Sequence, residues 1–200
     1  MSATKHLAYA LPVITLLASP LTLAHEAGDV IVRVGAAKVA PDASDNLGLD
    51  VKDDTQLGLT ATYMLSNSLG LELLAATPFN HTITTTSGTR VGETKQLPPT
   101  LSLQYFPMAS ASNFQPYAGL GLNYTTFFDS KLDSGAKLEM GDSVGLAVQL
   151  GVDYKLSNDW MLNAAVWKID IDSKVKIDGV KQGTQEIDPT VFMLSVGTKF

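Results

Sequence analysis

Polar and apolar residues alternate along most of this chain, and the alternation is cleanest from Ser143 to Tyr154. There Val144, Leu146, Val148, Leu150, Val152 and Tyr154 fall on one side, with Ser143, Gly145, Ala147, Gln149, Gly151 and Asp153 on the other. Successive side chains of an extended strand point to opposite faces, so a period of two predicts a strand with one oily face. The pattern predicts eight strands: Asp29–Val39, Gln56–Leu65, Leu69–Ala76, Glu93–Phe106, Gln115–Phe128, Ser143–Tyr154, Asn158–Asp172 and Thr190–Phe200. Pro98 and Pro99 remove two ladder donors from the fourth, which requires a bend or bulge there.

The connections alternate in length. Ser66–Ser68, Pro107–Phe114 and Leu156–Ser157 are short or modest, whereas Ala40–Thr55, Asn80–Gly92, Asp129–Asp142 and Ser173–Pro189 are long and polar. Short turns on one rim and long loops on the other fit an all-β fold, an eight-stranded antiparallel transmembrane barrel of the outer membrane with both termini on the periplasmic side. Register decides which face meets lipid. A one-residue slip would turn Arg33, Glu72, Gln149 and Asp153 outward, and an arginine facing lipid at the midplane costs about 2–4 kcal/mol. The Val and Leu face therefore points out, with Tyr63, Tyr105, Tyr154, Trp160 and Phe200 as the periplasmic aromatic girdle. A soluble lipocalin-like barrel needs the opposite arrangement, large aliphatics inside and polar groups outside.

Residues 1–24 carry Lys5 and His6, an apolar run from Leu7 to Leu17 and a small residue at Ala24. This is the pattern of a cleaved secretory signal peptide, leaving residues 25–200 as a single barrel domain. Its removal makes the formal net charge of −6 more negative by one lysine. An acidic chain is a poor partner for nucleic acid. The absence of cysteine excludes disulfides, thiolate metal sites and a catalytic thiol. After the leader only His25 and His81 remain, the first expected at a mobile terminus and the second in a loop, neither in a catalytic spacing. The sequence is read as a non-enzyme without a cofactor. Asp42, Asp45, Asp50, Asp53 and Asp54 do not follow the spacing of a calcium loop, so no metal site is assigned.

Seven blocks then stand out in order: HEAG at 25–28, QLGLT at 56–60, ELLAATPF at 72–79, LPPTL at 97–101, NYTTFFD at 123–129, VDYKLSNDW at 152–160 and VFMLS at 191–195. Together they closely resemble the outer membrane protein W (OmpW) family across residues 25–200. The resemblance implies a Gram-negative outer-membrane barrel that passes small hydrophobic molecules, with AlkL-type relatives in alkane uptake. It further implies lipid, lipopolysaccharide and small hydrophobic solutes as partners, and bacteriocin or phage binding at the loops. The two residues that narrow the family's channel map onto Leu74 and Trp167, both on inward faces. Lys168 and Thr190 depart from the family, which often has an aromatic at the first position and Trp at the second, so a weaker outer girdle is expected.

Eight strands enclose a lumen that side chains can fill, not an open aqueous pore. Arg33, Glu72, Gln104, Gln149, Asp153 and Lys199 fall in the periplasmic half and are expected to form a mutually paired polar floor. Leu74, Phe127, Trp167, Ile169 and Met193 fall nearer the outside and are expected to line a dry pocket. A hydrophobic solute that met the polar floor would leave sideways more cheaply than it would cross, and Pro98 and Pro99 mark the weakened wall. A competing reading makes the same residues a plug, with a structural or receptor role for the barrel.

Overall fold

The computed structural model describes residues 25–42, 49–157 and 159–200. The leader expected at residues 1–24 lies outside these, as do Asp45 and the first residue of the expected seventh strand, Asn158. The strands are β1 (Val30–Ala40), β2 (Leu49–Val51), β3 (Asp54–Met64), β4 (Leu69–Ala76), β5 (Phe79–Thr85), β6 (Arg90–Leu97) and β7 (Thr100–Tyr105). They continue with β8 (Phe114–Leu132), β9 (Leu138–Met140), β10 (Ser143–Lys155), β11 (Trp160–Ile169), β12 (Asp172–Ile177), β13 (Val180–Glu186) and β14 (Thr190–Lys199).

β1, β3, β4, β7, β8, β10, β11 and β14 pair antiparallel in that order, and β14 returns to β1 from Ile31↔Lys199 to Ala40↔Thr190, which closes an eight-stranded barrel. The alternation of side chains follows the sequence pattern. Leu120, Leu150 and Leu194 are 60%, 62% and 70% exposed on the outer wall, while Arg33, Glu72, Gln149 and Asp153 are buried inside. Water does not tolerate a continuous belt of exposed leucine and valine on a monomer, whereas lipid requires one. On β8 that belt runs from Phe114 to Tyr124, about the 9–11 residues a tilted strand needs to span a bilayer.

The interior is closely fitted. Tyr117 packs across its ladder partner Gly151, where an added Cβ would lie 2.3 Å from the Tyr117 ring. Any larger residue at Gly151 would have to displace that ring.

Two expectations are corrected. The fourth segment is not one strand: it breaks at Pro98–Pro99 into β6 and β7, because neither proline can donate to a ladder. The long connections also carry further strands among their described residues. β8 continues to Leu132, past the expected end at Phe128, and its outer part pairs with β6, which pairs with β5, which pairs with β2. A separate three-stranded sheet, β13-β12-β9, stands outside the barrel as well. Asp178 and Gly179, at φ 49° and 79°, turn β12 into β13. Two consecutive positive φ values make the two-residue turn whose twist suits a tight hairpin.

Candidate functional site in the barrel interior

The lower interior is a polar network. The Arg33 guanidinium grips Asp153 through two bonds, Nε to Oδ1 at 2.9 Å and Nη2 to Oδ2 at 2.6 Å. Its Nη1 donates to Thr62 at 2.9 Å and to Glu72 at 3.3 Å. Gln149 donates to Glu72 at 2.8 Å and accepts from Gln104 at 3.1 Å. Asn163 donates to Asp153 at 2.8 Å and to the Tyr117 hydroxyl at 2.9 Å, and the Tyr117 ring lies 5.6 Å from the guanidinium carbon. A buried charge persists when it is paired and its remaining polar atoms are bonded. The structure thus brings Arg33, Glu72, Gln104, Gln149 and Asp153 into one layer. Lys199 lies below them at the rim, partly exposed, and pairs with Asp29 at 3.1 Å.

Asn163, Tyr117 and Thr62 belong to this network and were not singled out from the sequence, although the period-two pattern puts each on an inward face. His25 departs from its expected place. It is fully buried beneath the network, edge-on to Phe106 at 4.6 Å, and not on a mobile end. Burial, helped by the Arg33 charge and opposed by Asp153, lowers its pKa from 6.5 to about 4. The ring is therefore neutral at pH 7, and its 3.7 Å approach to Asp153 is a contact and not an ion pair.

Above the network the interior turns apolar. Leu74, Trp167, Ile169 and Met193 are buried in one cluster with Phe79, Ile171, Ile187 and Val191, and Phe127 packs against it. Four of the five residues expected to line a pocket are thus packed against one another. The Trp167 indole N–H finds no partner there among the described residues.

The open space lies one level higher, between the outer strands. A cavity of about 290 Å³ is lined by Leu49 and Val51 of β2, His81 and Ile83 of β5, Val91 and Gln96 of β6, and Phe127 and Leu132 of β8. Leu138, Met140, Val175 and Ile177 of β9 and β12 face them, and Ile187 joins the cavity to the cluster below. Of the residues expected to line a pocket, only Phe127 lines this one. Most of the others lie on segments that read as polar loops, while Thr94 and Gln96 lie on the expected fourth strand without being singled out there. His81, expected in a loop, is a buried residue of β5.

The wall beside the base of the cavity is interrupted. β4 and β7 pair as far as Leu74↔Thr100, and β5 and β6 resume at Phe79↔Gln96, with no ladder pair between. On its other flank the break is sealed. Asn123 Nδ2 donates to Pro98 O and Pro99 O, each at 3.2 Å, and Tyr124 N donates to Pro99 O at 3.0 Å.

Other chemistry is sparse. Neither histidine is hydrogen-bonded to a hydroxyl or a carboxylate among the described residues; His81 bonds to the Lys52 carbonyl and to Gln96. The aspartates weighed as calcium ligands are dispersed: Asp50 pairs with Lys52, Asp53 with Lys38, and Asp54 accepts from Gln56 and the Asn80 amide. Asp170, Asp172 and Asp188 come within 4.8 Å of one another at the outer rim, with two of the three exposed.

Comparison with known proteins agrees with this architecture. The model of the OmpW family matches residues 26–200. Outer membrane protein W of Escherichia coli (strain K12) is 43% identical over 98% of this chain and 100% of its own. Outer membrane protein AlkL of Ectopseudomonas oleovorans is 31% identical over 91% of this chain and 78% of its own. The crystal structure of the outer membrane protein OprG from Pseudomonas aeruginosa superposes with a TM-score of 0.77 at 44% identity, covering 88% of this chain and 97% of OprG. The chain is an outer-membrane β-barrel and belongs to the OmpW family.

Proposed function

We propose that this barrel takes small hydrophobic molecules from outside the cell into the cavity between its outer strands and releases them sideways into the membrane. The observation that carries the reading is the stacking order along the axis. An apolar cavity sits on an apolar cluster, which sits on a bonded polar layer centred on Arg33. A solute moving down the axis would have to break charge-assisted bonds and then bury an apolar surface among them. The interrupted ladder at Pro98–Pro99 begins two residues beyond Gln96 of the cavity wall, and parting an unpaired wall breaks no ladder bonds. Leu74 and Trp167 stand between the cavity and the polar layer, where their size governs how far a solute descends. Uptake of hydrophobic solutes, implied by the resemblance to AlkL-type barrels, is the same chemistry.

The test is uptake of a hydrophobic and a hydrophilic tracer of similar size into proteoliposomes. Wild type should pass only the hydrophobic one. Leu74→Trp should slow it by narrowing the route, and Trp167→Ala should change its rate. Pro98→Val with Pro99→Val should slow it by restoring ladder donors. Unchanged flux in all these variants would sink the route.

The tight packing of Trp167, Ile169 and Met193, each 1% exposed, favours a second reading in which the lumen is plugged and the outer strands serve as a receptor surface. Flux no greater than in empty vesicles, with binding of a bacteriocin lost on exchange of the outer strands, would establish it.

A further inference from the structure

The cavity between the outer strands has a polarity of its own. Among the described residues that line it none is ionised, and its apolar wall is interrupted only by His81, Thr94, Gln96, Gln182 and Gln185. Two of these are locked together. His81 Nδ1 lies 2.7 Å from the Lys52 carbonyl oxygen, which can only accept, so Nδ1 carries the proton. Nε2 is then left with a lone pair, 3.0 Å from Gln96 Nε2, whose N–H must be the donor. That bond fixes which way the Gln96 carboxamide points. Turned over, its oxygen would face the lone pair of the imidazole. As it stands, the Gln96 oxygen accepts no hydrogen bond from any described residue, and Gln96 lines the cavity. Burial holds His81 below its ordinary pKa, which keeps the arrangement in its neutral form.

The chain of bonds runs from a backbone carbonyl through an imidazole to an amide and ends in one oriented acceptor in an apolar wall. A ligand with an O–H or N–H on a small apolar skeleton satisfies that acceptor. An ionised carboxylate offers only acceptors of its own, meets no cation, and pays the cost of desolvation without return. We infer that this cavity selects neutral hydrogen-bond donors, such as phenols, alcohols and amides, over carboxylates of equal size. Gln96 reads the donor, and His81 is the residue that positions Gln96. The inference rests on the cavity being a ligand site, as proposed above. At about 290 Å³ the space is at the lower edge of ligand pockets, so the occupant is small.

Three fluorescent probes with one skeleton separate the contributions: 2-naphthol, 2-methoxynaphthalene, which lacks the donor, and 2-naphthoate, which is ionised. Binding is measured at pH 7.5 to the full barrel in phosphatidylcholine nanodiscs, with empty discs subtracted. Wild type should bind naphthol roughly three- to tenfold tighter than the ether, the size of one net hydrogen bond. The naphthoate should be weaker than the naphthol by more than about tenfold. Gln96→Leu and His81→Leu should each bring naphthol down to the level of the ether. Retained ether binding in the same samples shows that the cavity is intact. Gln96→Arg should raise naphthoate binding. Equal binding of all three probes to wild type would overturn the selectivity and leave the cavity as a ligand site. Binding of none would overturn both.

Discussion

The two halves of the barrel interior are built on opposite principles. In the periplasmic half, Arg33, Glu72, Asp153, Gln149, Gln104 and Asn163 are bonded to one another at 2.6–3.3 Å. Between the outer strands, Ile83, Leu138 and Val175 surround empty space with aliphatic side chains. The first arrangement tolerates no missing partner, since each atom's solvation has been replaced by one specific neighbour. The second is held mainly by burial, which is roughly proportional to area and indifferent to direction, with the Lys52–His81–Gln96 chain as its directional element. On the proposed route the floor is accordingly the barrier, and the upper region is where a small molecule enters.

The sharpest way to break that contrast is Arg33→Met. It leaves Asp153 and Glu72 buried without their cation and should cost about 3–5 kcal/mol, read as a fall in the urea midpoint for unfolding from lipid vesicles. Replacing Arg33, Asp153 and Glu72 together by apolar residues of similar volume should recover most of the loss. A triple variant as weak as the single one would mean that the floor is not an ion-pair network.

The next effect is pH-dependent and is read at His25, below the floor. His25 is neutral in the folded chain with a pKa of about 4, against 6.5 unfolded, so on acidification the unfolded state takes up its proton first. Its stabilising contribution is present above pH 6.5 and is lost as the pH falls towards 4, by up to about 3 kcal/mol. Unfolding midpoints at pH 7 and pH 4.5 should differ by less in His25→Phe than in wild type. Gln149→Leu should cost about 1–3 kcal/mol, because Glu72 and Gln104 each lose a buried partner. Ile83→Val, in the wall of the cavity, should cost about 0.5–1.5 kcal/mol. An Ile83 loss larger than the Gln149 loss would invert the contrast.

The barrel was legible in the sequence for the reason that makes it stable. A strand with lipid on one side and a polar lumen on the other must alternate, and a slip by one residue is penalised along its whole length. The same logic placed Arg33, Glu72, Gln104, Gln149 and Asp153 inward before any contact was known. The cavity was not legible, because β2, β5, β9, β12 and β13 meet water on one face and lack the leucine belt that announces a spanning strand. One signal was available and went unused: Asp178-Gly179 between Ile177 and Val180 is strong hairpin chemistry. His25 and His81 were discounted by their position along the chain, and the partners that bury them are distant in sequence. Phe106 lies 81 residues from His25, and Lys52 lies 29 from His81.

The seam between β1 and β14 has a consequence for how the molecule comes into being. Its pairs, from Ile31↔Lys199 to Ala40↔Thr190, join the first strand to the last. No ribosome-bound or half-translocated chain can make them, so every state before completion has two open sheet edges and an oily outer surface. Contacts this distant are slow to form, and open edges invite association with other chains in the interval. The time between export and closure is therefore when the chain is most exposed to aggregation, and escort by a chaperone matters most then.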